Sequence, residues 1–459
     1  MLKFINLLII KCRKMAEIEF CAVSGYDEVG KNMNAVRVDD EVVIMDMGLQ
    51  LDNYIKTVGD EDAAQISAKQ LIKNKAIPDD SVIQDWRNKV KAIVLTHAHL
   101  DHIGAVPYLA NKYSCPIFAT SYTIEVLKSI CRDNNFHLRN KLIKMSQNSK
   151  YRLSDSITIE FVNVTHSVPE TIIAAIHTPE GKILYANDYK FDMFPTFGKK
   201  TPPERFRKLG KVLALIVDSL YAKESIKTPS ESVAKDMLKD VMIGVSSEGK
   251  AVIVTTFSSH IARLKAIIEY GRQMNRKIVF LGRSLAKYVQ AAEKINLVNF
   301  SKDVEIVKYG NQIKTRLKQL QKDKHKYLFV VTGHQGEPKS VLTKIATGVF
   351  DFSIDKGDLV IFSCKVIPSP INQANRAALE AKLTEKGARL FKDIHVSGHG
   401  AREDHREIIE MTKPGHIIPT HGDIEMRSAL IELASEMGYE LEKDCHLLMD
   451  GKRIILSSS

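Results

Sequence analysis

The sequence predicts an α/β protein with two domains. An apolar run at residues 92–95 ends in a histidine-rich loop, which is typical of a buried strand that carries a site at its end. From about residue 206, short apolar runs alternate with helical patterns, and this rhythm indicates a parallel sheet covered by helices. The chain has 459 residues, which is more than one hydrophobic core usually serves.

The stretch KAIVLTHAHLDH at residues 91–102 is the most specific signal in the sequence. β-branched residues and a sharp polar stop favour a strand for its apolar part. Four possible metal ligands follow within six residues, namely His97, His99, Asp101 and His102. Imidazole and carboxylate ligands without a nearby cysteine predict a zinc or manganese site rather than a structural thiolate site. The alternative is a polar loop with incidental histidines, and the tight clustering argues against it.

The composition is that of an ordinary globular protein with an excess of positive charge. Hydrophobic residues make up 44% of the chain and charged residues 26%. The 66 Lys and Arg residues exceed the 55 Asp and Glu residues, and the resulting net charge of +11 favours a polyanionic partner without fixing which one. The six cysteines show no CxxC spacing, so we expect reduced thiols in a cytoplasmic protein.

Residues 1–14, MLKFINLLIIKCRK, superficially suggest a targeting segment. Their apolar run is too short to span a bilayer, and no small-residue cleavage site follows it. An N-terminal extension before a true start at Met15 is as consistent with the sequence as a targeting role. No other stretch approaches the length of a membrane helix, so no membrane association is expected.

Several predicted strands of the first half end in a residue that can bind a metal or a proton. Three strands between residues 17 and 48 lead to Asp46, and later strands lead to His166 and Asp188. Rigid strands that end at one edge of a sheet commonly position a catalytic site. Residues 50–88 are expected to form a long loop with one helix near residues 61–75, acting either as a lid or binding segment or as a passive insertion.

These motifs resemble those of the metallo-β-lactamase fold, whose members use HxHxDH to hold two metal ions. Asp218 in LIVDS, His399 in HVSGHG and His421 in PTHGD resemble the additional motifs of the β-CASP nucleases, a branch specialised for nucleic acids. The phrases YDEVGKN, VTHSVP, TGHQGEP, VSGHG and PTHGD are similar to those of the ribonuclease J family. The likeness covers residues 15–450 and is closest to the archaeal form, which lacks a further C-terminal domain.

The resemblance implies a metallo-β-lactamase αββα sandwich with an inserted β-CASP parallel-sheet domain. It divides the chain into an extension at residues 1–14, a sandwich domain formed by residues 15–205 and 369–459, and a β-CASP domain at residues 206–368. The fold alone does not fix a substrate.

The resemblance also implies a site with two divalent cations, either zinc or manganese. One metal would be held by His97, His99 and His166, and the other by Asp101, His102 and His421, with Asp188 as a bridge. Asp46 and Asp218 would support these ligands from behind. His399 would contact the phosphate or protonate the leaving oxygen while a hydroxide attacks the phosphodiester.

Glycine-rich turns predict a pocket for a 5′-phosphate. Backbone N–H groups around Ser397, Gly398 and Gly400 could form an anion-binding nest that includes His399, although the glycines could equally serve only to make tight turns. His395 and His334 lie in similar turns and are candidates for the same pocket. The other histidines lie outside these motifs. We expect them to be structural or exposed: His137, His177, His260, His325, His405, His416 and His446.

The leading hypothesis is a 5′-to-3′ exoribonuclease that degrades single-stranded RNA from a 5′-monophosphate end and acts as a homodimer. The nearest alternative is a β-CASP endoribonuclease. A small-molecule metallohydrolase, such as a thioesterase, would explain HxHxDH but not the inserted domain or His399. A non-catalytic RNA-binding scaffold would be expected to have lost ligands, whereas all seven are present.

Overall fold

The computed structural model describes residues 15–59 and 63–456, so the predicted extension at residues 1–14 lies outside the described residues. The strands in chain order are β1 (Ile18–Ser24), β2 (Met33–Val38), β3 (Glu41–Met45), β4 (Val90–Val94), β5 (Ile117–Ala119), β6 (Leu142–Lys144), β7 (Lys150–Arg152), β8 (Thr158–Asn163), β9 (Ile172–Thr178), β10 (Gly181–Ala186), β11 (Val212–Asp218), β12 (Val252–Thr255), β13 (Lys277–Leu281), β14 (Val304–Val307), β15 (Tyr327–Val331), β16 (Leu359–Phe362), β17 (Arg389–Phe391), β18 (His416–Thr420) and β19 (Lys452–Ile455).

The α-helices in chain order are α1 (Leu51–Val58), α2 (Ala68–Lys73), α3 (Leu100–Ile103), α4 (Val106–Leu109), α5 (Ser121–Asp133), α6 (Pro203–Arg207), α7 (Glu231–Met242), α8 (Ile261–Gln273), α9 (Arg283–Lys294), α10 (Gly310–Leu320), α11 (Val341–Ala346), α12 (Pro370–Glu385), α13 (Arg402–Thr412) and α14 (Ile424–Glu436). Short 3₁₀ turns occur at Ala63–Gln65, Asp80–Lys89, Ala110–Lys112, Phe300–Lys302 and Gln321–Lys326.

Two sheets face each other and form a sandwich. The first has the order β19-β1-β2-β3-β4-β5-β6, and the second has the order β18-β11-β10-β9-β8-β7. Alternate residues of both sheets, such as Phe20 and Val43 from the first and Phe161 and Ile216 from the second, fill the space between them. Helices α3 to α5 cover the outer face of the first sheet, and α13 and α14 cover that of the second. The layers are therefore α/β/β/α, as predicted.

The third sheet has the order β14-β13-β15-β12-β16-β17, and all its neighbouring strands are parallel. Strand β12 is buried along its whole length, because helices cover both faces of a parallel sheet. Helices α8 and α9 pack on one face and α10 to α12 on the other. Since α9 also packs against α5, the sandwich and the third sheet share one continuous hydrophobic cluster.

Two strands lie in a different sheet from the one their position in the sequence suggested. Strand β11 was expected at the start of the inserted domain, yet it lies in the sandwich, between β10 and β18. Strand β17 lies beyond residue 368, yet it pairs with β16 in the third sheet. Apolar periodicity shows that a strand is buried but not in which sheet it lies. The domain boundaries predicted at residues 206 and 368 therefore both move to later positions in the chain.

The segment at residues 50–88 contains more helix than predicted. The single helix expected near residues 61–75 corresponds in its described part to a 3₁₀ turn and α2, while α1 was not anticipated. Helix α1 is only eight residues long and buries none of them fully, although Leu51, Tyr54, Ile55 and Val58 have helical spacing and Tyr54 and Val58 pack against the core. The Gln50 side chain caps it by accepting a hydrogen bond from Asn53 N.

The carboxyl ends of five strands meet at one edge of the sandwich. Strands β3 and β4 run parallel, as do β10, β11 and β18. The residues that follow these strand ends include Asp46, Asp188 and His421, and each has a left-handed φ, of 60°, 44° and 57° respectively. Non-glycine residues rarely adopt this conformation, and it clusters at functional sites. None of the described helices is long and apolar enough to cross a bilayer.

Candidate metal centre

The structure brings all seven predicted ligands together at this edge. Ligand atoms of His97, His99, His166 and Asp188 lie within 4.8 Å of one another, and so do those of Asp101, His102 and His421. The first set joins the loop after β4 to the loops after β8 and β10. The second joins the start of α3 to the loop after β18.

Asp188 lies between the two sets of ligands. Its Oδ2 atom is 3.3 Å from His97 Nε2 and 3.4 Å from His166 Nε2. Its Oδ1 atom is 3.2 Å from His102 Nε2 and 3.9 Å from His421 Nε2. Each carboxylate oxygen thus faces one set, which is the arrangement that a bridging ligand requires.

Each ligand imidazole forms a hydrogen bond through the ring nitrogen that points away from the metal cluster. The partner is Thr96 Oγ1 for His97 (3.1 Å), Ser259 Oγ for His99 (3.0 Å), Asp46 Oδ2 for His102 (2.7 Å), the Gly398 carbonyl for His166 (2.8 Å) and Asn32 Oδ1 for His421 (3.1 Å). When each imidazole N–H donates to its partner, the remaining nitrogen is left as an acceptor that faces Asp188. Such partners fix the tautomer and orientation of metal-binding histidines.

The charges of the cluster suit a divalent cation. Burial, with His102 adding to it, lowers the pKa of His97 to about 3, so this imidazole is neutral and its lone pair is free. Burial alone would raise the pKa of Asp188, but the surrounding histidines, above all His102, hold it well below its usual range. His102 behaves differently, because Asp188, Asp101 and Asp46 raise its pKa well above the usual value despite burial. A cation bound there would displace a proton.

An orphaned oxygen shows that these residues fit a metal. Asp188 Oδ1 is fully buried and accepts no well-directed hydrogen bond from the described residues. A buried charged oxygen without a partner is costly, and a cation would satisfy it. The donor set of imidazoles and carboxylates without thiolate matches zinc and manganese.

We expect Asp46→Asn to lower metal affinity by about 10- to 100-fold, because His102 would lose the carboxylate that orients it. Asp46 also accepts hydrogen bonds from Thr96 N and Oγ1, both at 2.8 Å, so the exchange also perturbs the support of His97. Chelator competition titration measures the change. Asp40→Asn, which alters an exposed carboxylate near the other end of β3, is the control. Equal affinities of the two variants would contradict this supporting role.

His399 and Asp218 form a pair beside the cluster. His399 Nδ1 lies 2.8 Å from Asp218 Oδ2, and its Nε2 lies 3.8 Å from Asp188 Oδ2. Burial would lower the pKa of His399, but Asp188 and Asp218 raise it to about 9. The histidine is therefore positioned to meet a phosphate oxygen next to the metal ligands.

The Ser397–Gly400 turn touches the metal cluster, but it is not an open nest of donors. The His399 N–H donates to Ser397 Oγ, and the Gly400 N–H donates to the Tyr189 carbonyl, so neither is free for a phosphate. Gly398 is required by close approach, since a Cβ there would lie 2.8 Å from His166 Nδ1. The expected donor role of Gly400 is therefore wrong, and this glycine instead packs against Asp404.

The two histidines predicted for the same pocket both lie close to the ring of Phe257. The ring centroid of His334 is 4.4 Å from that of Phe257, and the His395 centroid is 6.0 Å away. His395 Nδ1 is buried and has no hydrogen-bond partner among the described residues. Both histidines thus lie at the carboxyl edge of the third sheet, next to Ser259, which contacts His99.

Sequence reasoning did not single out Asn32, Thr96 or Ser259. Asn32 lies in the YDEVGKN phrase, and its side chain also donates to the Asp101 carbonyl at 3.1 Å. Thr96 immediately precedes the metal motif, and Ser259 follows β12. The family-like phrase around Asn32 was a usable signal, whereas nothing near Ser259 marked it.

Comparison with known proteins places the chain in a family. Ribonuclease J of Methanocaldococcus jannaschii is 43% identical over 440 residues, which cover 95% of this chain and 98% of that protein. The chain belongs to the ribonuclease J family. Ribonuclease J of Pyrococcus abyssi is also 43% identical and is covered to 98%, while ribonuclease J 1 of Streptococcus pyogenes is 29% identical and is covered to 75%.

Three domain families match within this ribonuclease J family member. Residues 70–239 match the beta-lactamase superfamily domain, residues 249–379 match the ribonuclease J beta-CASP domain, and residues 387–447 match the Zn-dependent metallo-hydrolase RNA specificity domain. A solved structure of a protein of unknown function from Enterococcus faecalis shares the fold, with a TM-score of 0.65, 18% identity and coverage of 96% of this chain and all of that one. The predicted fold, family and class of metal-dependent nuclease are confirmed.

Proposed function

We propose that this ribonuclease J family member is a 5′-to-3′ exoribonuclease that acts on single-stranded RNA with a 5′-monophosphate. The observation that carries the proposal is the packing of a turn against one side of the metal cluster, which we interpret as a wall. The turn at residues 397–400 packs on His166 through the Gly398 carbonyl. Behind it, Arg263 is fully buried, pairs with Glu231 at 2.7 Å and donates to the Ile394 carbonyl at 3.0 Å. A strand of RNA would end at this wall instead of passing it.

We assign the seven ligands to two divalent cations, with zinc or manganese as the ion. His97, His99 and His166 would hold one, Asp101, His102 and His421 the other, and Asp188 both. Bound cations would supply an activated water and neutralise charge on the phosphodiester. The chain itself orients the imidazoles through Thr96, Ser259, Asp46, Gly398 and Asn32.

His399 is the residue that would handle a proton in the reaction. Asp218 accepts its Nδ1–H and so directs Nε2 toward the metal cluster. Cleavage that releases a 5′-mononucleotide breaks the bond between phosphorus and the 3′-oxygen, and that oxygen needs a proton to leave. His399 Nε2 would donate it or bind a non-bridging oxygen of the same phosphate.

The 5′-phosphate is expected to contact the Ser397 side of the turn. The Gly398 N–H would face this phosphate together with the Ser397 hydroxyl, which already accepts the His399 N–H and interacts with Tyr221, and His395 would contribute a buried ring nitrogen. The Gly400 N–H has no part in this pocket. A compact site of this kind fits a monophosphate better than a triphosphate, which adds bulk and charge.

We expect the wild-type protein to degrade 5′-monophosphorylated RNA about ten- to a hundredfold faster than 5′-triphosphorylated or 5′-hydroxyl RNA, and Ser397→Ala to erode this preference. Single-turnover assays with end-labelled RNA measure the rates and show whether mononucleotides or internal fragments form. Ser435→Ala, at an exposed position on α14, serves as the control. Equal rates on all three ends, or internal fragments as first products, would instead support an endoribonuclease.

A homodimer and a cytoplasmic location complete the proposal. The five described cysteines are all free and buried, which suits a reducing compartment. Light scattering of the purified protein would test for the dimer.

A further inference from the structure

We propose that the RNA beyond the scissile phosphate runs along the carboxyl edge of the third sheet and binds a basic track formed by Arg283, Lys287, Lys308 and Tyr309. The inference rests on the proposed function, because it takes RNA as the substrate. It adds the direction in which the strand leaves the metal cluster and the residues that hold it.

The order of the β-strands in the third sheet indicates the path that the RNA would take. Strand β12 leads to Ser259, which contacts His99 of the metal cluster. Strands β15, β13 and β14 follow β12 in that order across the sheet. Three strand spacings amount to about 14 Å, a distance that a few nucleotides cover. The opposite direction along the sheet edge leads toward the wall at residues 397–400. The RNA beyond the scissile phosphate would therefore follow the edge from β12 toward β14.

The track carries more positive charge than the protein neutralises. Lys308 Nζ lies 3.6 Å from Asp133, and no other carboxylate among the described residues forms an ion pair with this group. Arg283 and Lys287 form no ion pair in the described part of the chain. Burial lowers the pKa of Lys287; Asp133 counteracts this effect, while Arg283 and Lys308 add to it. A phosphodiester backbone would supply the missing negative charge.

Tyr309 gives the track a surface for a base. Its ring follows β14 at the edge of the sheet and is 51% exposed. Lys308 Nζ lies 5.3 Å from the ring centroid, so an aromatic face and cations occur side by side. Single-stranded nucleic acids are commonly bound in this way, with bases stacked on aromatic rings and phosphates on adjacent cations. A folded protein partner would need a larger apolar surface than one tyrosine offers.

The track also connects to the metal cluster through α9. Tyr288 follows Lys287 and is buried between the domains, where it accepts a hydrogen bond from Tyr122 Oη through its carbonyl. Helix α9 packs against α5, which follows β5, and β5 pairs with β4, the strand that ends at the metal motif. The basic residues therefore belong to the side of the third sheet that packs against the sandwich.

The test compares binding of long and short RNA by full-length protein. Arg283→Gln/Lys308→Gln and Tyr309→Ala are made in an Asp188→Ala background, which prevents cleavage. We expect the double variant to bind a 5′-monophosphorylated RNA of roughly 20 nucleotides about tenfold more weakly, and the slope of log affinity against log salt to become shallower by about 1.4, or about 0.7 for each phosphate contact. Binding of a dinucleotide should stay unchanged.

The chain offers a control on β7, at the edge of the second sheet far from β18, where Lys150 and Arg152 flank Tyr151 but are paired with Glu160 and Asp155. Lys150→Gln/Arg152→Gln and Tyr151→Ala should leave the affinity for long RNA within about twofold, apart from the general effect of charge. Tyr309→Phe should restore the loss seen in Tyr309→Ala, because stacking needs the ring and not the hydroxyl.

Two results would overturn the track. One is an equal loss of affinity for the dinucleotide and the long RNA. The other is an equal change in the slope of log affinity against log salt in the Lys150→Gln/Arg152→Gln and Arg283→Gln/Lys308→Gln variants. Because binding is measured without cleavage, failure of the 5′-end preference would leave this test intact, and failure of the track would leave that preference intact.

Discussion

Asp188→Ala is expected to lower the rate of RNA hydrolysis by roughly four powers of ten, or about 5 kcal/mol of transition-state stabilisation. The reason is its position, since one carboxylate oxygen faces the ligands His97 and His166 and the other faces His102. Without the carboxylate, both sets of ligands lose their shared negative group. Metal content by mass spectrometry and single-turnover rates on labelled RNA measure the effect together.

Two further variants distinguish loss of the metal site from loss of the fold. His97→Ala should reduce the rate to a similar extent, whereas His137→Ala, in the loop after α5, should leave it unchanged. Circular dichroism should give the same secondary structure for all variants, because the ligands lie in the loops at the sheet edge and on α3 and are not part of the apolar core. Substantial turnover by metal-depleted Asp188→Ala would refute the proposed two-metal site.

His399→Ala is expected to lower the rate by about 10²- to 10⁴-fold, mostly in kcat, because proton transfer contributes on this scale. A substrate with sulfur in place of the leaving 3′-oxygen distinguishes the two roles of the histidine. A thiolate leaves without a proton, so this substrate should recover most of the lost rate if His399 is the acid. No recovery would mean that His399 only binds the phosphate.

Asp218→Asn provides the matched variant for the same pair. It keeps the shape of the side chain but removes the charge that Asp218 Oδ2 presents to His399 Nδ1 at 2.8 Å. The loss should be smaller than for His399→Ala, about 10- to 100-fold, since the imidazole remains. An effect of Asp218→Asn on the sulfur-substituted substrate as large as on ordinary RNA would contradict its role through His399.

The ligands could be predicted from the sequence because their signals are local. HxHxDH places four of them within six residues, and each of the other three directly follows an apolar strand or a short motif. The contacts that orient them are not local. Asn32 and His421 are separated by 389 positions, and His99 and Ser259 by 160, so no pattern of neighbours could pair them.

Backbone geometry explains the remaining differences. The glycines at positions 398 and 400 suggested a nest of N–H donors, but in the fold Gly398 makes room for His166 and Gly400 packs on Asp404. Glycine in a turn is equally consistent with a ligand and with a neighbouring side chain, and only the packed structure decides between them. Strand β11 was placed in the wrong sheet for a related reason, since it is buried in either one.

The contact between Ser259 and His99 joins the two domains at the metal site itself, at 3.0 Å. A separation of the third sheet from the sandwich would free one nitrogen of a ligand and weaken its hold on the cation. By reciprocity, a bound cation must resist that separation with the same free energy. Metal binding at His99 and contact between the two domains are therefore thermodynamically linked, so that each stabilises the other.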